Sequence, residues 1–272
     1  MSLDRLANCF ERCRAENRAA LVGFLTAGDP NPDASARLLT TLARHADIIE
    51  IGMPFSDPMA DGPVIQAASE RALAAGTHMD DVFRITAAVR KAAPAAGIVL
   101  MGYGNTAYAM GYEAFASEAA LAGADGVLLV DIPVEESAEV DAALAAHRLH
   151  NIRLVAPTSS ADRRRLAARH GSGFIYYVSL TGITGANMGE TEAVRRQVET
   201  LRREAGLPVC VGFGIKTPEQ ASQVAAFADG VVVGSELVKQ ISEHLSDECA
   251  MIEAMERVAS SMRAAMQRGG AA

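Results

Sequence analysis

The chain has 272 residues, half of them hydrophobic, with a formal net charge of −8 and a pI near 5.3. That length and apolar content suit one large barrel domain, or two small ones, with a sizeable core. The acidic balance argues against nucleic acid as a partner, because a phosphate backbone needs a basic face, yet backbone amides can still hold a small phosphate. The first amphipathic segment, 1–16, carries Leu3, Leu6, Phe10 and Cys13 at helical spacing and is read as a helix capping a barrel floor. Asp4, Arg5 and Glu11 stand there where a signal peptide would need an apolar run. Eight short apolar runs follow: Ala20–Leu25, Ile48–Ile51, Gly97–Met101, Gly126–Val130, Arg153–Ala156, Phe174–Val178, Val209–Gly212 and Gly230–Val233. They are rich in Val, Ile and Leu without clean alternation, as parallel strands covered on both faces are.

Between the runs lie Ala-rich helical patterns. They are Asp33–His45, the pair Pro63–Ala75 and Met79–Ala93, Tyr112–Ala122, Val134–Leu149, Asp162–Arg169, Thr191–Ala205 and Pro218–Phe227. A further helix opens at Glu236. Alternating strand and helix imply a parallel α/β fold, and eight repeats favour a closed (β/α)₈ TIM barrel. An open doubly wound sheet is the competing arrangement, but no G-x-G-x-x-G follows the first strand. The expected organisation is a single domain over 1–272, with an extra N-terminal helix, an extra helix after the second strand, and a disordered tail over 267–272. The four cysteines form no C-x-x-C pair, and no apolar stretch is long enough to span a bilayer. A cytoplasmic protein is expected.

In a barrel, chemistry sits at the C-terminal ends of the strands. Glu50 lies among isoleucines near the end of the second strand, where lost hydration raises a carboxyl pKa towards the range of a general acid. Asp61 falls in the loop Pro54-Phe55-Ser56-Asp57-Pro58-Met59-Ala60-Asp61-Gly62-Pro63. Spacing leaves it open whether Asp61 acts in the site or, with Gly62, caps a helix starting at Pro63. Asp57, before Pro58, reads first as a turn residue. The last two strands are followed by Val211-Gly212-Phe213-Gly214-Ile215 and Val233-Gly234-Ser235. Glycine loops there let backbone N–H groups approach a phosphate, and the helix opening beside Ser235 adds a favourable dipole. A third glycine loop, Thr181–Gly189, is long, small and polar, as a lid or a plain surface loop is.

Absences narrow the chemistry. The three lysines, Lys91, Lys216 and Lys239, lie outside the strands, which disfavours a Schiff-base aldolase. None of the six histidines marks a strand end, so no metal site is expected. Carbon–carbon cleavage would then need an electron sink within the substrate.

The motifs IIEIG (Ile48–Gly52) and PFSDPMADGP (Pro54–Pro63) resemble the signature of the tryptophan synthase alpha chain family. The resemblance continues through TAGDP (Thr26–Pro30), LLVDIPVEES (Leu128–Ser137), APTSS (Ala156–Ser160), GITGAN (Gly182–Asn187) and VGFGIKTPEQ (Val211–Gln220), in order over nearly the whole chain. It implies retro-aldol cleavage of indole-3-glycerol phosphate to indole and D-glyceraldehyde 3-phosphate. It implies Glu50, Asp61 and Tyr176 as catalytic residues, Gly185, Gly214, Gly234 and Ser235 as the phosphate cradle, and Phe24, Ile65, Leu128 and Phe213 as the indole pocket. Protonation of the ring carbon bearing the glycerol chain makes an indoleninium cation, the sink that replaces lysine or metal. The family also implies a beta subunit that carries pyridoxal phosphate, in an α2β2 tetramer, with no cofactor on this chain. Pro54, Phe55, Asp57, Pro58 and Thr184 are then expected in mobile loops that meet this partner. Two positions depart from the family pattern: Thr106 replaces a rigid turn residue after the third strand, and Leu180 precedes the glycine loop. Other readings are a phosphoribosyl isomerase, a stand-alone lyase releasing free indole, and a non-catalytic regulatory barrel.

Overall fold

A computed structural model describes residues 4–178, 188–212 and 214–268. Its strands are β1 (Ala20–Thr26), β2 (Ile48–Gly52), β3 (Gly97–Gly102), β4 (Gly126–Leu129), β5 (His150–Asn151), β6 (Arg153–Val155), β7 (Ile175–Val178), β8 (Val209–Gly212) and β9 (Gly230–Val233). All named pairings are parallel, in the order β5-β4-β3-β2-β1-β9-β8-β7-β6. The two ends of that order, β5 and β6, flank Ile152, whose N–H donates to Val127 O at 2.9 Å. They are successive stretches of one extended segment, so the sheet closes into the expected barrel. The expected fifth run therefore begins earlier, at His150. Every residue of β1, β2, β4, β7, β8 and β9 is buried, which explains why these runs show no polar alternation.

Two apolar clusters hold the fold. The larger lies between barrel and helices and contains Leu38, Leu39, Val82, Phe115 and Leu237. The smaller fills the barrel interior with Val22, Ile48, Val99, Leu128, Ile152 and Phe174. The N-terminal helix Arg5–Ala15 joins this inner cluster through Leu6, Cys9, Phe10 and Cys13, so it plugs the barrel floor as its apolar spacing predicts. Asp4 caps it, its Oδ1 accepting from Ala7 N at 3.0 Å. Phe10 meets Phe174 edge-on with ring centroids 5.9 Å apart. Gly97 leaves the room that Leu6 occupies: a Cβ there would stand 2.5 Å from Leu6 Cδ2.

The two expected helices after β2 are Pro63–Ala74 and Met79–Ala92. Asp29, after β1, accepts from Arg71 Nε and Nη2 at 2.7 and 2.8 Å and so ties the first of them to the neighbouring strand. Local differences from the sequence reading have plain causes. The segment after β3 is a helix, Gly104–Met110, and Thr106 N donates to Tyr103 O at 3.1 Å, a bond a proline could not make. The expected helix Val134–Leu149 divides into a 3₁₀ turn, Val134–Glu136, and a helix, Ala138–Ala146, because Ser137 turns inward to meet Asp141 and Arg153. The expected frayed tail is anchored at its start: Gln267 bridges Arg18, and Arg268 donates to the carbonyls of Asn17, Ala225 and Ala228.

The floor is also held by charge. Asp47, 2% exposed, accepts from Arg18 Nη1 and Nη2 at 2.6 and 2.7 Å, from Leu21 N at 3.0 Å and from Arg263 Nη1 at 3.2 Å. Burial alone would raise its pKa, but the Arg18 hydrogen bonds prevail and hold it below the ordinary carboxylate value. Asp47→Ala removes both Asp47 bonds from the buried Arg18 guanidinium, leaving it the more exposed Glu16 carboxylate, and is expected to cost about 3 kcal/mol of unfolding free energy in urea titration. Arg37→Ala, which removes the exposed pair with Glu248, should cost less than about 1 kcal/mol in the same measurement.

Candidate active site

The C-terminal ends of the strands surround a cavity of about 200 Å³. Its apolar wall is built from Phe24, Ile65, Met101, Tyr176 and Val232, and two carboxylates, Glu50 and Asp61, face into it. Gly214, Ile215, Lys216, Gly234 and Ser235 line its remaining side. Glu50 sits in β2 between Phe24 of β1 and Val99 of β3 in register. It is 1% exposed, and neither carboxylate oxygen has a hydrogen-bond partner among the described residues. Burial, then the nearby Asp61 charge, push its pKa up to about 8. A carboxyl group in that condition holds its proton at neutral pH and can give it to a substrate.

Asp61 reaches the same cavity from the loop after β2. Gly62 is the N-cap of the helix Pro63–Ala74 and makes no side-chain cap bond. The Asp61 carboxylate is engaged elsewhere: Tyr103 Oη donates to Asp61 Oδ2 at 3.0 Å and accepts from Ala60 N at 2.9 Å. The alternative left open by spacing, a helix cap, is thus set aside. The Asp61 pKa is raised by burial, an effect the Tyr103 hydrogen bond offsets in part. Phe55 stacks on the Tyr103 ring with centroids 5.0 Å apart, and Gln66 Nε2 donates to Asp61 O at 2.9 Å. These contacts hold the second half of the loop against the barrel. Asp57 is exposed, accepts from Ser56 Oγ and does not line the cavity. Pro54 and Pro58 are half-buried, and Met59 between them and Asp61 is 81% exposed.

Tyr176 rises from β7 and is buried. Burial, then the Glu50 charge, hold its pKa well above the usual phenol value, so it is a hydrogen-bond donor at neutral pH. Gly212 makes this placement possible, since a Cβ there would stand 2.4 Å from Tyr176 Oη. Gly52 does the same for Phe24, whose Cζ would lie 2.6 Å from an added Cβ. Gly214 adopts φ +77°, a left-handed conformation natural to glycine. Gly234 caps the helix Ser235–Glu243, whose first backbone bonds to Gly234 O come from Leu237 and Val238. The N–H groups of Ser235 and Glu236 precede that ladder, as anion-binding helix ends require.

The cavity therefore brings together Glu50, Asp61, Tyr176, Phe24, Ile65, Gly214, Gly234 and Ser235. Leu128 is not among the lining residues. It packs in the interior cluster, and Met101, its register partner on β3, packs against that cluster and takes the wall position instead. Phe213, Thr184, Gly185 and Leu180 lie outside the described residues. Sequence reasoning missed Tyr103, Met101, Val232 and Lys216. Tyr103 carried a legible signal, an aromatic hydroxyl directly after a barrel strand. Among the described residues, no group of three or more His, Cys, Asp or Glu could hold a metal ion.

Comparison with known proteins agrees with this geometry. The family model for the tryptophan synthase alpha chain matches residues 10–267. The tryptophan synthase alpha chain of Dechloromonas aromatica is 47% identical over 255 residues, 93% of this chain and 95% of the relative. That of Geobacter sulfurreducens is 52% identical over 238 residues, 87% of this chain and 90% of the relative. The crystal structure of tryptophan synthase subunit alpha from Legionella pneumophila superposes with a TM-score of 0.90 at 42% identity, covering 97% of this chain and 99% of that one. A chain of tryptophan synthase from Mycobacterium tuberculosis, in its aminoacrylate-bound form, gives 0.86 at 35% identity, covering 96% and 99%. The closed barrel and the matches over nearly its whole length lead to one assignment: the chain belongs to the tryptophan synthase alpha chain family.

Proposed function

We propose that Glu50, Asp61 and Tyr176 carry out the lyase reaction of this family, in which indole-3-glycerol phosphate is split into indole and D-glyceraldehyde 3-phosphate in tryptophan biosynthesis. The observation that carries these roles is Glu50: a buried carboxyl without hydrogen-bond partners among the described residues, protonated at neutral pH, in the same cavity as Asp61. Neutral Glu50 gives its proton to the indole carbon that bears the glycerol chain. The ring becomes an indoleninium cation, and Asp61 stabilises its nitrogen, an effect strengthened by exclusion of water. The resulting Glu50 carboxylate takes the proton of the adjacent hydroxyl. The carbon–carbon bond then breaks, its electron pair returns to the ring nitrogen, and indole and the aldehyde leave with Glu50 protonated again. Tyr176, buried with its hydroxyl protonated, is assigned the hydrogen bond to the glycerol chain. Phe24, Ile65, Met101 and Val232 form the pocket for the indole ring. The amides around Gly214, Gly234 and Ser235 hold the phosphate, with Gly185 and Phe213 assigned to the site by family resemblance.

The family implies a beta-subunit partner. We assign to it the pyridoxal phosphate and an α2β2 assembly, with indole passed between the subunits. The loop Pro54–Pro63, with Met59 exposed at its tip, and Thr184 are the proposed contacts. A partner that prefers the closed form of the loops raises turnover by raising the competent fraction.

Glu50→Gln is expected to lower kcat at least about a hundredfold while substrate still binds, checked by steady-state indole release and by direct titration. In the wild type, the raised pKa fixes the sign of the pH response. The proton is present below pH about 8 and lost above it, so turnover should fall as pH rises through that value. Asp61→Asn should be severely impaired because a neutral amide does not stabilise the cation, whereas Asp57→Asn should damage the isolated chain less. Titrating the beta subunit into the purified chain should raise indole release. Fast release without the partner and no change at saturation would favour the stand-alone lyase.

A further inference from the structure

We propose that Lys216 is a phosphate-binding residue of this chain, its ammonium group meeting the substrate phosphate at the cavity wall beside the loop amides. The inference rests on the phosphate-substrate reading above and adds to it a cation that the backbone cradle lacks. Among the described residues lining the cavity, Lys216 is the one with a cationic side chain. It follows Gly214 by two residues and shares the lining with Gly234 and Ser235. Its own N–H is already used: it donates to Gln220 Oε1 at 2.7 Å, an oxygen that also accepts from Thr217 N at 3.2 Å. That bond belongs to the cap of the helix Pro218–Ala225, in which Gln220 N donates in return to Thr217 Oγ1. The backbone of Lys216 is therefore pinned to a helix end, and what the residue can offer an anion is its side chain.

The charges nearby agree with that role. Lys216 is exposed and enters no ion pair among the described residues, whereas Lys239 stands 3.6 Å from Glu243. The acids flanking the phosphate side are engaged: Glu219 is hydrogen-bonded to Thr217, and Glu236 Oε1 accepts from Gln240 Nε2 at 3.2 Å. A dianionic substrate must enter a cavity that already holds Asp61, in a chain of net charge −8. The partial charge of the helix end at Ser235 favours it there, and a full positive charge on the opposite loop adds to that attraction. Because Lys216 is exposed, the attraction is salt-sensitive.

The test titrates the full chain and its Lys216→Met and Lys216→Arg variants with sn-glycerol 3-phosphate and, separately, with indole. At low salt, Lys216→Met should bind glycerol 3-phosphate about fivefold more weakly. High salt should narrow the difference, and Lys216→Arg should retain most of the affinity. Indole, which has no phosphate, should bind all three proteins alike. Equal glycerol 3-phosphate affinity for wild type and Lys216→Met at low salt overturns the proposal, and so does an equal loss for indole. A wild-type chain that binds glycerol 3-phosphate through Lys216 but releases no indole from indole-3-glycerol phosphate overturns the assigned reaction and leaves the role of Lys216 standing.

Discussion

The cost of keeping a carboxyl group dry inside a closed barrel is the constraint on which this molecule turns. Glu50 gains its raised pKa from burial between β1 and β3 and, next, from the nearby Asp61 charge. An arginine at that place would lower the pKa and remove the acid. At the other end, arginine–carboxylate pairs hold the floor, where Asp47 meets Arg18 and Asp125 meets Arg5 and Arg90. The floor is paired and plugged by the helix Arg5–Ala15, and the upper interior keeps a carboxyl group whose desolvation is not compensated.

The second carboxylate is also raised by burial, but it has a hydrogen-bond partner. Asp61 is on a loop, and the fold gives it a fixed neighbour, the Tyr103 hydroxyl, itself held by Ala60 N and stacked under Phe55. The bond from Tyr103 opposes the desolvation that burial imposes on Asp61. Burial raises both carboxyl groups in the cavity, but only the Asp61 shift is opposed by a hydrogen bond, which is the kind of difference the proposed acid and electrostatic stabiliser need. Asp29 and Arg71 extend the support, because they anchor the helix that leaves Asp61 and carries Ile65 into the pocket.

Glycines determine what the cavity can contain. Gly52 and Gly212 are strand residues whose missing Cβ atoms admit the Phe24 ring and the Tyr176 hydroxyl. In the sequence Gly52 reads as the end of the motif Ile48–Gly52 and Gly212 as the end of the run Val209–Gly212, with no packing role. Their packing role is visible because the barrel brings β1 against β2 and β7 against β8 in register.

The one-dimensional pattern by itself determined the class of fold: eight apolar runs alternating with amphipathic segments, with a helical stripe at Leu6, Phe10 and Cys13 for the floor. Hydrophobic periodicity is local, so it survives in the sequence. It also placed Glu50, since a carboxylate among isoleucines is conspicuous, and the paired glycine loops of the last two strands. Spacing could not decide Asp61, whose partner Tyr103 lies 42 positions away. Nor could it separate Leu128 from Met101, because which of two neighbouring strand residues walls a cavity depends on strand register and side-chain length. Lys216 was legible only as a lysine outside the strands. The parallel pairing of β8 with β9 decided that it lines the cavity with Gly234 and Ser235, because it sets the loops after these strands side by side. These contacts join residues separated in the chain, and their geometry exists only once the neighbouring strands have paired in register.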